Sequence, residues 1–278
     1  MAEEPRWAVI TGASSGIGAE LARIFASKGY SLVLVARRHE RLEALAGEIR
    51  AAHEVQAETM ALDLEDREAP QDLAEMLRDR GIRVHTLVNN AGFGLRGNFA
   101  TLPVERQMAM IDLNVRALTA LSRLLLPGML ERGQGGILNV ASTAAFQAGP
   151  YMAVYYATKA YVLSLSEALH EEAKPRGVTV TALCPGSTDS EFSATADVEY
   201  SRTLRPTLMS AAEVARIGVE GYEAGEAIVI PGKGNWFGTL GAKFLPRRII
   251  RRIAGRLQRG ETKKSAQDVD EPPSASLV

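Results

Sequence analysis

Short, nearly unbroken apolar runs alternate with longer amphipathic stretches almost from the first residue to about residue 231. The runs are Trp7–Thr11, Ser31–Ala36, Gln56–Leu62, Thr86–Asn89, Gly136–Val140, Thr179–Cys184 and Ala227–Ile230. Val, Ile and Leu fill several of them end to end, as strands covered on both faces require. Between them, apolar residues recur at helical spacing over Gly18–Lys28, Arg38–Ala52, Ala69–Arg80, Pro103–Arg132, Tyr151–Lys174 and Ala211–Ala224. Strand and helix in alternation predict parallel crossovers, and so an α/β domain over residues 5–232 with a single doubly wound parallel sheet and helices on both faces.

Two segments break the alternation. Residues 187–209 follow the sixth run and are rich in Ser, Thr, Asp and Glu. An irregular insert beyond the carboxyl end of a strand is placed to be a lid over a ligand, the competing reading being a plain connecting loop. The second is a basic extension over residues 238–264. Within Lys243–Lys264, nine basic residues stand against Glu261, a net charge of +8 that leaves Met1–Ala242 at −6. Phe244, Leu245, Ile249, Ile250, Ile253 and Leu257 interleave with those bases as in an amphipathic helix. The pattern suits peripheral contact with an anionic membrane surface or an acidic partner, and it equally suits a helix packed on its own domain with a solvated basic face. Residues 265–278, with Pro272-Pro273 and small polar side chains, read as a disordered tail.

Composition narrows the class. With 32 basic and 33 acidic residues the 278-residue chain has a net charge of −1, which excludes bulk binding to nucleic acid. Hydrophobic residues at 46% can form a sizeable core without disulfides or a metal, and no metal site is expected. The single cysteine, Cys184, forbids an intramolecular disulfide and fits a reducing compartment. The richest apolar stretch, Ala117–Leu130, is broken by Arg123 and Pro127 and falls short of the roughly 18 residues a membrane span needs. Met1–Arg6 lacks the apolar run of a secretory signal, so the expected location is cytoplasmic.

The first apolar run leads into Thr11-Gly12-Ala13-Ser14-Ser15-Gly16-Ile17-Gly18 and then a helix. Glycines let a backbone approach a pyrophosphate, and a helix N-terminus offers N–H groups and positive potential. Gly12, Ser14, Ser15, Gly16, Ile17 and Gly18 are therefore cofactor-binding candidates, although the spacing G-x-x-x-G-x-G departs from G-x-G-x-x-G. Gly12–Gly16 also satisfies the hydrolase elbow G-x-S-x-G. None of His39, His53, His85 and His170 stands in a catalytic setting to support that parse. The second run ends in Arg37-Arg38 with no acid before Glu40. Guanidinium pairs with a ribose 2′-phosphate where a carboxylate would repel it, which favours NADP(H).

Tyr155 and Lys159 are four apart, on one face of a helix, and Ser142 ends the strand just before. With the glycine loop, Asp63, Asn89-Asn90-Ala91-Gly92, Asn114 and Pro185-Gly186, they make the chain resemble a short-chain dehydrogenase/reductase over residues 5–232, with a Rossmann-type fold. The resemblance implies Tyr155 as general acid/base and Lys159 as its activator and a holder of the nicotinamide ribose. It gives Ser142 to the carbonyl oxygen and Asn114 to a water leading from Lys159 to solvent. Asp63 is assigned to adenine, Asn90, Ala91 and Gly92 to the adenosine ribose, and Gly186 and Thr188 to the nicotinamide side. The family often has a second threonine where this chain has Ser190. Magnitudes agree with the assigned chemistry: lowering a phenol from about 10 to about 7 takes roughly 4 kcal/mol, and one ammonium about 4 Å away at a dielectric near 20 supplies it.

The expected activity is NADP(H)-dependent reduction of a carbonyl, or oxidation of the alcohol, on a hydrophobic substrate. Phe93, Phe146, Tyr151 and Met152 flank the motifs and are candidates for an apolar substrate pocket, core packing being the alternative for each. The long helical segments resemble those through which the family forms homodimers and homotetramers. The competing function is an NADP(H)-binding regulatory protein without turnover.

Overall fold

The computed structural model describes residues 5–189 and 208–259. Strands β1 (Trp7–Thr11) and β5 (Gly136–Val140) are buried at every position. Together with β2 (Ser31–Ala36), β3 (Ala57–Ala61), β4 (Val84–Asn89), β6 (Thr179–Leu183) and β9 (Ile228–Val229) they form one seven-stranded parallel sheet in the order β3-β2-β1-β4-β5-β6-β9. The sheet is the doubly wound one the alternation predicts.

Alternation along each strand divides the apolar side chains between two cores. Ala8, Ile10, Leu32 and Leu34 face α1 (Gly16–Ser27), α2 (His39–Ala52) and α7 (Ala211–Glu223), meeting Leu21, Phe25, Leu42, Val214 and Val219. Trp7, Val9, Val33 and Val35 point the other way, toward Leu73 and Leu77 of α3 (Ala69–Asp79) and Leu121 of α5 (Leu118–Arg132). Both faces of the sheet are thus closed by helices, and the strand ends are left to carry the chemistry.

The predicted helix Pro103–Arg132 is interrupted by one π-helical turn. α4 (Val104–Ile111) passes through Asp112–Ala117 in π geometry into α5, which continues through Pro127 to Gly133. The next helix is α6 (Ala153–Ala173), and its buried residues Tyr155, Lys159, Val162, Ser166 and His170 step along one stripe.

The basic extension differs from the single helix expected over 238–264. It folds as α8 (Lys233–Phe244) and α9 (Arg247–Arg259), separated at Leu245-Pro246, where proline has no N–H to continue the first helix. α8 also begins earlier, directly after Gly232. Of the proposed lid, residues 190–207, including Ser190, lie outside the described residues. Its two described flanks, β7 (Thr188–Asp189) and β8 (Met209–Ser210), pair in parallel. The tail 265–278 also lies outside the described residues.

Candidate active site

Strand order reverses between β1 and β4, so the loops leaving their carboxyl ends diverge and open a crevice. That crevice has a volume of about 460 Å³. It is lined by Gly12, Ser14–Ile17, Arg37, Arg38, Asp63, Asn90–Phe93, Ser142, Met152, Tyr155, Lys159, Gly186 and Thr188. Four sequence candidates are not on its wall: Gly18, Asn114, Phe146 and Tyr151.

At one end the loops after β1 and β4 are locked together. Thr11 Oγ1 donates to the Val88 carbonyl at 3.2 Å and accepts from the N–H groups of Asn90 and Ala91 at 3.0 and 3.1 Å. The Asn90 amide donates to the carbonyls of Thr11 and Gly12. Gly12 has φ of +66°, and a Cβ there would lie 2.7 Å from that amide nitrogen, so the position excludes other residues on both counts. Gly18 is a close-packing position: a side chain would run into the Gly12 carbonyl and Asn90, which explains why it lies behind the crevice.

α1 opens with Ser15, whose side chain makes no capping bond, and has no acid in its first turn. Its N-terminus therefore keeps its positive potential for an anion. Arg38 reaches back from the end of β2 to this loop, donating to Ser14 Oγ from Nη2 at 3.0 Å and to Ser15 Oγ at 2.8 Å. Arg37 is differently engaged, pairing with Glu65 at 3.1 Å and Asp63 at 3.7 Å. The glycine cradle, the serines, the helix end and Arg38 form a donor set matched to the phosphates of a dinucleotide.

At the other end, Lys159 is 6% exposed and donates from Nζ to the Val140 carbonyl at 2.7 Å. Burial lowers its pKa to about 8, with a small opposing contribution from Cys184. Its Nζ lies 5.9 Å from the centre of the Tyr155 ring one turn earlier on α6. Ser142 begins the 3₁₀ turn Thr143–Phe146, accepting from the Ala144 N–H at 3.1 Å and donating to the Pro185 carbonyl at 3.4 Å.

Asn114 sits in the π turn, 2% exposed, and clamps the loop after β4 onto α6. Its Oδ1 accepts from the Phe93 N–H at 3.1 Å, while Nδ2 donates to the Phe93 carbonyl and to Thr158 Oγ1. Gly92 makes room for this clamp, since a Cβ there would lie 2.9 Å from Asn114 Oδ1 and 3.7 Å from Lys159 Nζ. Asn114 is thus one layer behind the crevice, with both amide hydrogens in use.

Phe93 and Met152 are buried beside Tyr155, Tyr156, Ala144 and Met110 in one apolar cluster. Phe146 instead packs with the cluster of Leu118, Val162 and Leu163. Tyr151 has φ of +68° and lies outside the crevice wall, its carbonyl accepting from the Gly97 N–H at 2.8 Å. Gln147, Ala144 and Tyr156 also stand on the wall, and Thr11 locks the loops, none of them a site candidate from sequence. Thr11 opens the glycine motif and Tyr156 adjoins Tyr155, whereas nothing in the sequence marks Gln147 or Ala144.

Cys184, just past β6, is fully buried, and burial pushes its thiol up to about 12. Thiolate is the reactive form, so native protein should resist iodoacetamide at pH 8 and take up one equivalent after denaturation. Rapid labelling of the folded protein would contradict this placement.

A crevice at the switch point of a parallel sheet, with a glycine-rich loop and helix N-terminus at one end and a buried lysine beside a tyrosine at the other, is the arrangement of a dinucleotide-dependent enzyme. The family model for short chain dehydrogenases matches residues 6–200, and the chain belongs to that family. It is accordingly an oxidoreductase of CH–OH or C=O groups that uses a nicotinamide dinucleotide. The chain is 32% identical over 225 residues to a very-long-chain 3-oxoacyl-CoA reductase of Anas platyrhynchos, spanning 79% of this chain and 71% of that protein. A short-chain dehydrogenase from Sphingobium yanoikuyae in complex with NADPH is 34% identical with a TM-score of 0.77, covering 95% of this chain and 99% of the other. A 3-ketoacyl-(acyl-carrier-protein) reductase from Brucella melitensis complexed with NADH is 30% identical with a TM-score of 0.73, covering 83% and 98%.

Proposed function

We propose that this chain reduces the carbonyl of a hydrophobic ketone or aldehyde with NADPH, or oxidises the matching alcohol with NADP⁺. The observation that carries the reading is the buried Lys159 one turn from Tyr155, in the same crevice whose far end holds Arg38 on Ser14 and Ser15.

A bound nicotinamide supplies or accepts the hydride. Tyr155 donates its phenolic proton to the substrate oxygen as negative charge develops there, and takes it back in the oxidative direction. The Lys159 ammonium holds the phenolate form down in energy and is placed to bond the nicotinamide ribose. Ser142 would turn its hydroxyl hydrogen from the Pro185 carbonyl, 3.4 Å away, to the same substrate oxygen, while the Ala144 N–H keeps the oxygen in place. Asn114 keeps Lys159 and the loop in place, and its remaining Oδ1 or backbone acceptor capacity serves the water route. Asn90, Ala91 and Gly92 border the adenosine ribose, Asp63 the adenine, and Gly186 and Thr188 the carboxamide side.

Arg38 gives the preference for the 2′-phosphate, because its guanidinium lies on Ser14 and Ser15 of the glycine loop and lines the crevice. NADPH should bind at least about tenfold tighter than NADH, and Arg38→Asp should weaken NADPH roughly 100-fold while sparing NADH. Fluorescence titration checks both, and an Arg38→Asp protein with unchanged preference overturns the assignment.

The substrate end is apolar through Phe93, Met152, Ala144 and Tyr156. With a relative that acts on very-long-chain 3-oxoacyl-CoA, this supports a long-chain or otherwise bulky apolar carbonyl compound. A panel of ketones and aldehydes scored by NADPH consumption tests it. Tight NADPH binding with no turnover on any member would favour a regulatory binding protein instead. The flanks Thr188–Asp189 and Met209–Ser210 are drawn together where Thr188 meets the crevice. The exposed Val104, Met108, Ile111, Leu124 and Tyr161 on α4–α6 supply the face for a cytoplasmic homo-oligomer.

A further inference from the structure

Exposed large apolar side chains are not spread evenly over the described residues. Seven of thirteen fall within residues 236–253: Trp236, Phe237, Leu240, Phe244, Leu245, Ile249 and Ile253. Single exposed apolar residues are ordinary, but this concentration is not. On α8 the positions 236, 237, 240 and 244 share one helical face, and Thr239, 8% exposed, lies on the flank turned toward the domain. Phe244 and Phe237 are 78% and 64% exposed.

α9 divides its apolar arc. Ile250 and Ala254 are buried against the domain, whereas Ile249 and Ile253 alongside them remain nearly half exposed. Arg247, Arg248, Arg251, Arg252 and Arg256 are all exposed, and none forms an ion pair among the described residues. The sequence from Lys233 to Arg259 holds eight basic residues and no acid. Among the described residues no helix is long and apolar enough to cross a membrane.

We infer that α8 and α9 form a docking surface for an anionic lipid bilayer. Exposed Trp and Phe beside arginines match the bilayer interface, where rings enter the headgroup boundary and guanidinium groups meet lipid phosphates. A second copy of the chain fits the same surface poorly. A two-fold contact would set this uniformly basic segment against itself, with no carboxylate in it to answer the charge.

The surface is joined to the substrate end of the crevice. Asn235, at the start of α8, packs so closely on Gly186 that no side chain fits there. Gly255 of α9 approaches Pro150, two residues before Met152. On the reading that the substrate is apolar, docking sets the mouth of the crevice beside the lipid that holds it.

The test uses the full chain and vesicles of phosphatidylcholine with one part in four phosphatidylserine, against phosphatidylcholine alone. Co-sedimentation should be strong only with the anionic vesicles and should weaken with salt. Trp236 emission should shift to the blue, and Trp7, 6% exposed, contributes little to that change. Phe237→Ser with Phe244→Ser, and separately Arg251→Glu with Arg252→Glu, should each cut binding by about tenfold or more. NADPH affinity measured without vesicles should be unchanged, which separates docking from the reaction. Equal sedimentation with and without vesicles overturns the inference, as does binding indifferent to these substitutions. Wild-type chain that ignores vesicles but loses an oligomer on Phe237→Ser with Phe244→Ser would assign the surface to a second copy.

Discussion

Replacing Tyr155 with phenylalanine should lower turnover by roughly 10³-fold while leaving NADPH affinity within about threefold of wild type. The substitution removes one hydroxyl from a ring that is 8% exposed and set edge-on to Tyr156 at 6.1 Å, so packing is preserved. What is lost is the proton donor for the developing alkoxide. On the proposed reading the dinucleotide is held mainly by Gly12–Ile17 and Arg38, which line the far end of the crevice. Single-turnover rates and cofactor titration on the same preparation check the two halves. A variant that keeps its rate would remove the acid from the scheme, and one that loses cofactor and rate together would make Tyr155 a binding residue.

Lys159→Met should abolish most turnover, by roughly 10²–10⁴-fold, and at the same time make the apo protein more stable at pH 7. The folded protein holds the lysine proton only to about pH 8, because burial disfavours the charge; the unfolded chain holds it to about 10.5. Below pH 8 both states are charged and the full penalty, roughly 3 kcal/mol, weighs on the native state. Between pH 8 and 10.5 the native lysine is neutral while the unfolded one is still charged, so the penalty fades as pH rises. Methionine fills a similar volume without charge, though it leaves the Val140 carbonyl short of a donor at about 1 kcal/mol. The net gain is about 2 kcal/mol at pH 7, a rise of roughly 4–8 °C in Tm for a chain of this size. It should vanish near pH 10. Thermal melts at the two pH values decide it: a variant less stable than wild type at pH 7 would show that the ammonium contributes to the fold.

These two residues were legible in sequence because their spacing is local. Four positions on one helix face fix the pair, and the buried stripe from Tyr155 to His170 carries it inward. The strands were legible for the same reason, as fully buried parallel strands cannot tolerate interruptions. Phe146 and Tyr151 illustrate the opposite case. Both neighbour catalytic positions in sequence, yet the 3₁₀ turn carries Phe146 toward Leu118 and Val162, and Tyr151 adopts left-handed backbone outside the wall. Neighbourhood along the chain does not say which face a side chain takes.

The π turn at Asp112–Ala117 was hidden because one extra residue in a long apolar helix leaves the periodic pattern nearly intact. Arg37 and Arg38 are alike in the sequence, and only the fold sets them apart, turning Arg37 to Glu65 and Asp63 and Arg38 to Ser14 and Ser15. The split of the basic extension was signalled by Pro246, but the charge pattern runs across it and suggested one helix.

The parallel clasp between Thr188–Asp189 and Met209–Ser210 joins two parts of the chain that are distant in sequence. Thr188 stands on the crevice wall, and Ser210 caps the first turn of α7 by accepting from the Glu213 N–H. The clasp therefore couples the wall to a helix packed on the far face of the sheet, so that a tilt of α7 is felt at the crevice.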